Sequence, residues 1–309
     1  MQKMVLRYDW DRMNSTVAVV VTYNRKAILK KNIKCLLAQS YPCDVYIIDN
    51  ASTDGTAEMV QSITEQRIYY FNTGANLGGA GGFEYGVRKA VLDGYDYVWI
   101  MDDDTLPDSE ALAEFFKADK ALNGKWGALS GAPYWTDGSI CKANRQKKTL
   151  FTFVRNAEYK TKKAIKVTMA SFVSLFVKAE VIKELGLPIG EYFIWTDDYE
   201  YTGRISKKYP LYVIPSSRVI HAMKENKKIN FAKELPERID RYQYVYRNDV
   251  HCYRQFGMKG ASYLIIKYFY TMFNVLLNAK ESKIKKVKVL NVGYIRGLQF
   301  HPVIKKFYG

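Results

Sequence analysis

The sequence predicts an α/β protein: an open, mostly parallel sheet flanked by helices, followed by a helical, basic C-terminal region. Apolar strand-like runs and helix-period segments alternate three times over about the first hundred residues. Polar clusters follow the strands, at the carboxyl edge where sheets of this kind bind ligands. The last third differs in kind, with residues 221–309 holding 18 Lys+Arg against 6 Asp+Glu.

Taking the elements in order, residues 16–22 form an almost unbroken β-branched run, the pattern of a strand buried on both faces. A polar turn at 23–26 leads into a helix with Ile28, Leu29, Ile33, Leu36 and Leu37 on one face. Residues 44–49 read as a second strand, closed by a turn-and-cap sequence at 50–56 before a helix near 57–63. A third strand at 68–71, a helix at 81–93 and a fourth strand at 97–101 follow; the last delivers Asp102, Asp103 and Asp104 at its carboxyl end. Residues 128–134 and 167–177 read as strands, and the basic stretch between them as an exposed loop or hairpin. A short helix at 180–185 stops at Gly186. Beyond the apolar residues 212–215 the chain reaches His221 and turns helical and basic.

At 309 residues the chain can bury a substantial core, in one large domain or two smaller ones. Hydrophobic content of 48% with 25% charged residues excludes wholesale disorder. Cys35, Cys43, Cys141 and Cys252 are far apart, which argues against a zinc cluster or disulfide framework and suits a reducing cytoplasm. Residues 1–14 read as an extension without the apolar segment of a signal peptide. The net charge of +16 favours an anionic partner. Residues 142–166 carry 9 basic against 1 acidic side chain, while the motif-rich first 110 residues carry little surplus. With no recognisable nucleic-acid motif and no basic face of exposed aromatics, nucleic acid is not the expected partner.

Three adjacent carboxylates at a strand end repel one another unless a cation lies among them. Mg²⁺ or Mn²⁺ suits such oxygen ligands, and either ion bridges carboxylates to substrate phosphates. The competing reading of Asp102–Asp104 is a solvated turn and helix cap; four polar clusters converging on one edge favour the metal. Gly78, Gly79, Gly81 and Gly82 would let backbone approach a ligand closely. A dinucleotide fingerprint would instead place its glycines after the first strand, where residues 21–24 have none. His221 alone reads more readily as a surface or satisfied core histidine than as a ligand. Asp197, Asp198 and Glu200 read as an acidic helix start, favoured by the helix dipole and able to position a base.

TYNR at 22–25, DNASTDGT at 49–56, NLGGAGGF at 76–83, MDDDT at 101–105, WTDDYEY at 195–201 and the later His221 resemble, in order and spacing, the inverting GT-A glycosyltransferases of family 2. The resemblance covers roughly residues 15–225. NLGGAGGF and the acidic pair look most like bacterial galactofuranosyltransferases, although here Thr196 adds a residue between Trp195 and that pair. The resemblance implies a Rossmann-like GT-A catalytic domain at 15–225, with a nucleotide-binding half at 15–105, an acceptor half at 106–225 and a separate basic region at 226–309. It implies donor contacts from Thr22 and Asp49 (uracil and ribose), Arg25 (diphosphate), Asn76 and Gly79 (donor loop), Asp102 and Asp103 (sugar or ribose for the latter). Asp102, Asp104 and His221 would hold Mn²⁺ or Mg²⁺. Asp198 would be the base, with Asp197 beside it; Asp197 and Trp195 would face the acceptor, as would Glu200 unless it stands behind the residues that do. The implied reaction moves galactofuranose from UDP-galactofuranose to a hydroxyl of a lipid-linked glycan in cell-surface polysaccharide synthesis. A rhamnosyl donor such as dTDP-rhamnose, or a pyranosyl donor, is the alternative. A nucleotidyltransferase would also pair aspartates with metal but leaves the late acidic pair and His221 without a role.

Residues 262–277 are strongly apolar but interrupted by Lys267 and Asn274, short of a standard membrane span. Followed by Lys280, Lys283, Lys285, Lys286 and Lys288, they read as an interfacial anchor on an anionic membrane surface. The alternatives are a core helix beside solvated lysines, or a subunit interface in a homo-oligomer. With a lipid-linked acceptor, the expected location is cytoplasmic, peripheral on the inner face of the cell membrane.

Overall fold

The computed structural model describes residues 15–227 and 230–307. The expected N-terminal extension, with its lack of a signal segment, lies outside the described residues. The expected alternation is present as β1 (Thr16–Thr22), α1 (Lys26–Leu37), β2 (Asp44–Asp49), α2 (Thr56–Gln61), β3 (Ile68–Asn72), α3 (Gly78–Leu92) and β4 (Tyr97–Asp102). Next come β5 (Thr105–Pro107), α4 (Ala111–Ala121), β6 (Ala128–Tyr134), β7 (Ile165–Val167), β8 (Leu175–Lys178), α5 (Ala179–Leu185), α6 (Asp197–Ser206) and β9 (Leu211–His221). The helices α7 (Tyr242–Arg254), α8 (Gly257–Asn278) and α9 (Lys283–Gln299) follow.

The strands form one mixed sheet in the order β3-β2-β1-β4-β8-β6-β9-β5, with β7 also paired to β9. β3, β2, β1 and β4 are mutually parallel, and β8 turns antiparallel against β4. Every residue of β1 is buried because the sheet is covered on both sides. Val17, Val19 and Val21 pack on one face with Phe83, Val87 and Val91 of α3. Ala18 and Val20 pack on the other with Leu29, Ile33 and Leu36 of α1. Burial of each such Val, Leu or Phe contributes about 1.5–3 kcal/mol. α3 lies close to the sheet because Gly82 has no Cβ, which would stand 2.6 Å from Val21 Cγ1.

Three local expectations are corrected. α3 starts at Gly78, not Gly81, because Gly78 takes a φ of +70° and Asn76 Oδ1 accepts its N–H at 2.9 Å. Residues 167–177 are two strands rather than one: β7 pairs with β9, while β8 pairs with β4 and β6. The buried link between them stays apolar in pattern because Thr202 Oγ1, rather than a strand, accepts the Ala170 N–H at 3.0 Å. The basic stretch is not wholly exposed, since Gln146 and Lys147 point into the protein.

The expected lysine cluster also loses a member: Lys286 is buried and donates to Ala232 O at 2.9 Å. Ile265, Ile266, Phe269, Tyr270, Phe273 and Leu277 of α8 are exposed. Among the described residues, no helix is long and apolar enough to cross a membrane. The four cysteines are unpaired.

Candidate active site

Parallel register brings the ends of β1, β2 and β4 to one edge, with Thr22 beside Asp49 and Val21 beside Asp102. β5 leaves the triplet and pairs Thr105 with His221, so the histidine reaches the triplet through strand register. One ligand atom each from Asp102, Asp104 and His221 lies within 4.8 Å of the others. His221 Nε2 is 3.0 Å from Asp104 Oδ1, and Nδ1 is 2.9 Å from Asn144 Oδ1. An amide oxygen only accepts, so Nδ1 carries a proton and Nε2 is the atom aimed at the carboxylates. Adjacent ligands about 2.1 Å from an octahedral ion stand about 3.0 Å apart, so this donor set fits Mn²⁺ or Mg²⁺.

Charge crowding explains the electrostatics. Burial, and then the charge of Asp104, pushes Asp102 up from the usual carboxylate range. Burial likewise pushes Asp103 up to about 7, although Arg25 opposes it. Asp104 moves the other way: burial works against its charge, but the hydrogen bond from His221 and the guanidinium of Arg25 outweigh it. His221 is correspondingly held protonated, Asp104 outweighing burial. A divalent cation relieves the same repulsion that protons relieve here.

Several residues expected at the donor also make contacts within the protein. Asp103 turns inward, where Thr22 Oγ1 donates to it at 2.7 Å and Arg25 Nη1 lies 3.0 Å away. Thr22 and Asp103 are both buried and bonded to each other. Arg25 also reaches Asp104 at 2.9 Å and remains 45% exposed, free to meet a diphosphate on its outer edge. Asp49 is fully buried, accepting from Tyr70 Oη at 2.7 Å and Ser52 N at 2.9 Å. Asn76 uses its oxygen on the turn before α3. Among the glycines of that turn Gly79 alone has room for a Cβ, whose nearest neighbour, Phe83 Cε2, would stand 4.0 Å away.

The acidic pair opens α6, with Asp197, Asp198 and Glu200 in its first turn. Burial, and then Asp198, pushes Asp197 up; burial outweighs the Tyr199 N–H that Asp198 Oδ1 accepts at 2.7 Å, and pushes Asp198 up too. The charge of Asp102 adds to the rise in Asp198, and that of Asp197 to the rise in Asp102, so pair and triplet lie within electrostatic reach. Glu200 is turned away: Arg204 holds its carboxylate at 2.8 and 3.1 Å and also bonds the Leu185 and Leu187 carbonyls. Trp195 packs on Tyr242, centroids 5.2 Å apart, under the Arg241 guanidinium at 5.3 Å.

Residues 17–186 match the glycosyl transferase family 2. The chain belongs to this family. Over 93 residues this glycosyltransferase is 39% identical to galactofuranosyltransferase GlfT1 of Mycobacterium tuberculosis, a match covering 29% of the chain and 30% of that relative. Over 128 residues it is 30% identical to a poly-beta-1,6-N-acetyl-D-glucosamine synthase of Staphylococcus aureus, covering 40% of the chain and 29% of the relative. The chain therefore spans only about three tenths of the length of the curated relatives it matches. In fold it is similar to S. aureus TarS 1-349 in complex with UDP, with a TM-score of 0.53 at 14% identity over 93% of this chain and 72% of that one. It is also similar to the mannosyltransferase PcManGT from Pyrobaculum calidifontis in complex with GDP-Man and Mn2+, with a TM-score of 0.56 at 19% identity over 94% and 76% of the chains. These likenesses are of fold, and that fold is GT-A.

Two residues at the glycosyltransferase site carried no signal in the sequence. Asn144, which orients His221 from 77 positions away, lies in the basic stretch without any motif. Lys147 Nζ donates to Tyr253 Oη at 2.7 Å, 106 positions along, and its charge opposes the rise in Asp198.

Proposed function

We propose that the protein is a metal-dependent inverting hexosyltransferase that moves galactofuranose from UDP-galactofuranose to a hydroxyl of a lipid-linked glycan. Asp198 removes the proton of the acceptor hydroxyl as its oxygen bonds to the anomeric carbon, and the bond from that carbon to the diphosphate breaks on the opposite face. A Mn²⁺ or Mg²⁺ ion held by Asp102, Asp104 and His221 supplies offset for the charge gathering on the diphosphate. Arg25 meets the same group with a bidentate guanidinium. Asp197 keeps the pair crowded, so that a nearby proton is readily taken up. The observation that carries this reading is the raised acidic pair at the start of α6, within reach of a separate carboxylate–histidine cluster. The likeness to a galactofuranosyltransferase supports the choice of donor.

Residues 15–225 form the catalytic unit of this reading, and 226–309 add the exposed apolar face of α8, which suits a peripheral position on an anionic membrane carrying the acceptor. The test is UDP release from a panel of nucleotide sugars with and without Mn²⁺. UDP-galactofuranose is expected to turn over fastest and only with metal. Asp198→Asn is expected to abolish transfer while UDP still binds. Wild-type turnover by that variant sinks the base assignment, and activity confined to dTDP-rhamnose replaces the donor.

A further inference from the structure

We propose that Asn248 and Asp249 of α7, together with Lys267 of α8, are positioning residues that hold the loop at 191–197 in the shape that presents Asp198. The inference rests on Asp198 being the base.

That loop is an uphill conformation. Phe193, Trp195 and Thr196 have φ values of 63°, 65° and 66°, and none is glycine. Bulky and β-branched residues rarely adopt this region and do so only where their surroundings hold them. The loop runs straight into Asp197 and Asp198, so any relaxation of it moves the acidic pair.

What holds it comes from later in the chain. Asn248 is fully buried, and its Oδ1 accepts from Arg247 Nε at 2.9 Å, which settles the way the amide faces. Its Nδ2 is thereby aimed at the loop, 3.0 Å from Tyr192 O, 3.0 Å from Ile194 O and 2.9 Å from Trp195 O. Two N–H groups are shared among those carbonyls, so one amide gathers the backbone on both sides of the strained turn. Arg247 adds bonds to Glu191 O at 2.7 Å and Tyr192 O at 3.2 Å.

Asp249 takes the next position. Its Oδ1 accepts from Thr196 Oγ1 at 3.0 Å, directly before the acidic pair, and its Oδ2 accepts from Lys267 Nζ at 2.6 Å. The Asp249 carboxylate is buried, and the Lys267 ammonium pairs with it and holds it in place. Three side chains on two helices thus fix three strained residues and the start of α6. Among the described residues, the hydrogen bonds and ion pair of these three run to the loop, to the threonine before α6 and to each other's helices and not to the triplet, β1 or β4, where the donor diphosphate would be held. Their loss should therefore be read in the chemical step and not in donor binding.

Asn248→Asp keeps the size of the side chain but turns an oxygen toward the three carbonyls. Lys267→Met keeps the stem without the charge, and Lys267→Arg is the conservative control. Full-length variants are compared by thermal melt, by calorimetry with UDP, and by initial rates with the nucleotide sugar that the wild type turns over fastest. Misplacing a reacting group by about 1 Å can cost about 100-fold, so kcat is expected to fall about 100-fold in Asn248→Asp and about tenfold in Lys267→Met. KM for the donor and the Kd for UDP should stay within about twofold, and Lys267→Arg should restore most of kcat. A purely structural part would lower UDP affinity, thermal stability and kcat together, and that pattern overturns the proposal. So does wild-type kcat in both variants. Asp198→Asn is run alongside: if it turns over normally the base assignment fails and this inference with it, whereas an inactive Asp198→Asn beside fully active loop variants overturns the inference alone.

Discussion

Replacing Arg25 with glutamine removes the one guanidinium that, among the described residues, pairs with the acidic triplet. Arg25 lies 3.0 Å from Asp103 Oδ1 and 2.9 Å from Asp104 Oδ2, and the two carboxylates are 4% and 7% exposed while the arginine is 45% exposed. Breaking a fully buried pair costs about 3–5 kcal/mol, and an exposed pair contributes about 0–1 kcal/mol. Half-exposure of the arginine puts this loss between them, at about 2 kcal/mol in the absence of divalent ions. In a domain of this size that lowers Tm by roughly 4–8 °C. Donor binding falls separately. Losing charge-assisted hydrogen bonds to a diphosphate costs about 1.5–3 kcal/mol, or roughly 10- to 100-fold in the Kd for UDP. Saturating Mn²⁺ should raise the Tm of Arg25→Gln more than that of the wild type, because the ion then carries all of the offset to the triplet. Differential scanning fluorimetry and UDP calorimetry read these effects. Unchanged Tm and unchanged UDP affinity together would refute the argument, since the guanidinium would then neither balance the triplet nor meet the donor.

Three more outcomes follow from the site. Burial pushes Asp197 and Asp198 up, so the proton-free base becomes scarce near neutrality: kcat/KM should fall about tenfold per pH unit on an acid limb ending near neutral pH, and a flat profile down to the ordinary carboxylate range counts against the assignment. Asn144→Leu leaves His221 Nδ1 without its acceptor and should weaken Mn²⁺ binding about 10- to 100-fold by calorimetry, with unchanged affinity showing that the amide does not orient the imidazole. The chain should sediment with anionic vesicles in low salt, and Phe269→Glu combined with Phe273→Glu should release it, whereas no salt-dependent binding to such vesicles removes the membrane reading.

Much of the fold was legible because hydrophobic period and strand register say the same thing. The β-branched residues of β1 could only be a strand covered on both faces, and the carboxyl-edge placement of Asp102 and Asp104 follows from it. His221 was legible through its likeness to a family and not through its own surroundings, since the pairing of β5 with β9 that delivers it is not written in either segment alone. The partners of Thr22, Asp103 and Glu200 within the protein were not legible. A short polar side chain at an element's end can face ligand or neighbour, and its pattern in the sequence does not name Arg25 or Arg204 as the neighbour. The run at 167–177 failed for a related reason: an apolar buried link and an apolar strand share one pattern, and the Thr202 hydroxyl that satisfies the link comes from α6.

The apolar run at 262–277 offered an interfacial anchor or a core helix as alternatives, and α8 has a face for each. Of its 22 residues only Gly260, Leu264 and Val275 are buried, so its apolar contact with the rest of the protein is narrow. Lys267, the residue that breaks the run as a membrane span, is turned inward to Asp249, where it faces a buried carboxylate. Ile266 and Phe269, close beside it in sequence, are exposed. A lysine among aromatics reads as an interruption when only hydropathy is counted, yet its ammonium pairs with Asp249, whose other oxygen accepts from the threonine in front of the acidic pair. Leu264, Val275, Tyr268 and Met272 pack the inner side of the helix beside that polar contact, and its outer apolar side stays free. The same substitution pattern that rules out a span therefore ties the exposed helix to the loop on which the base stands.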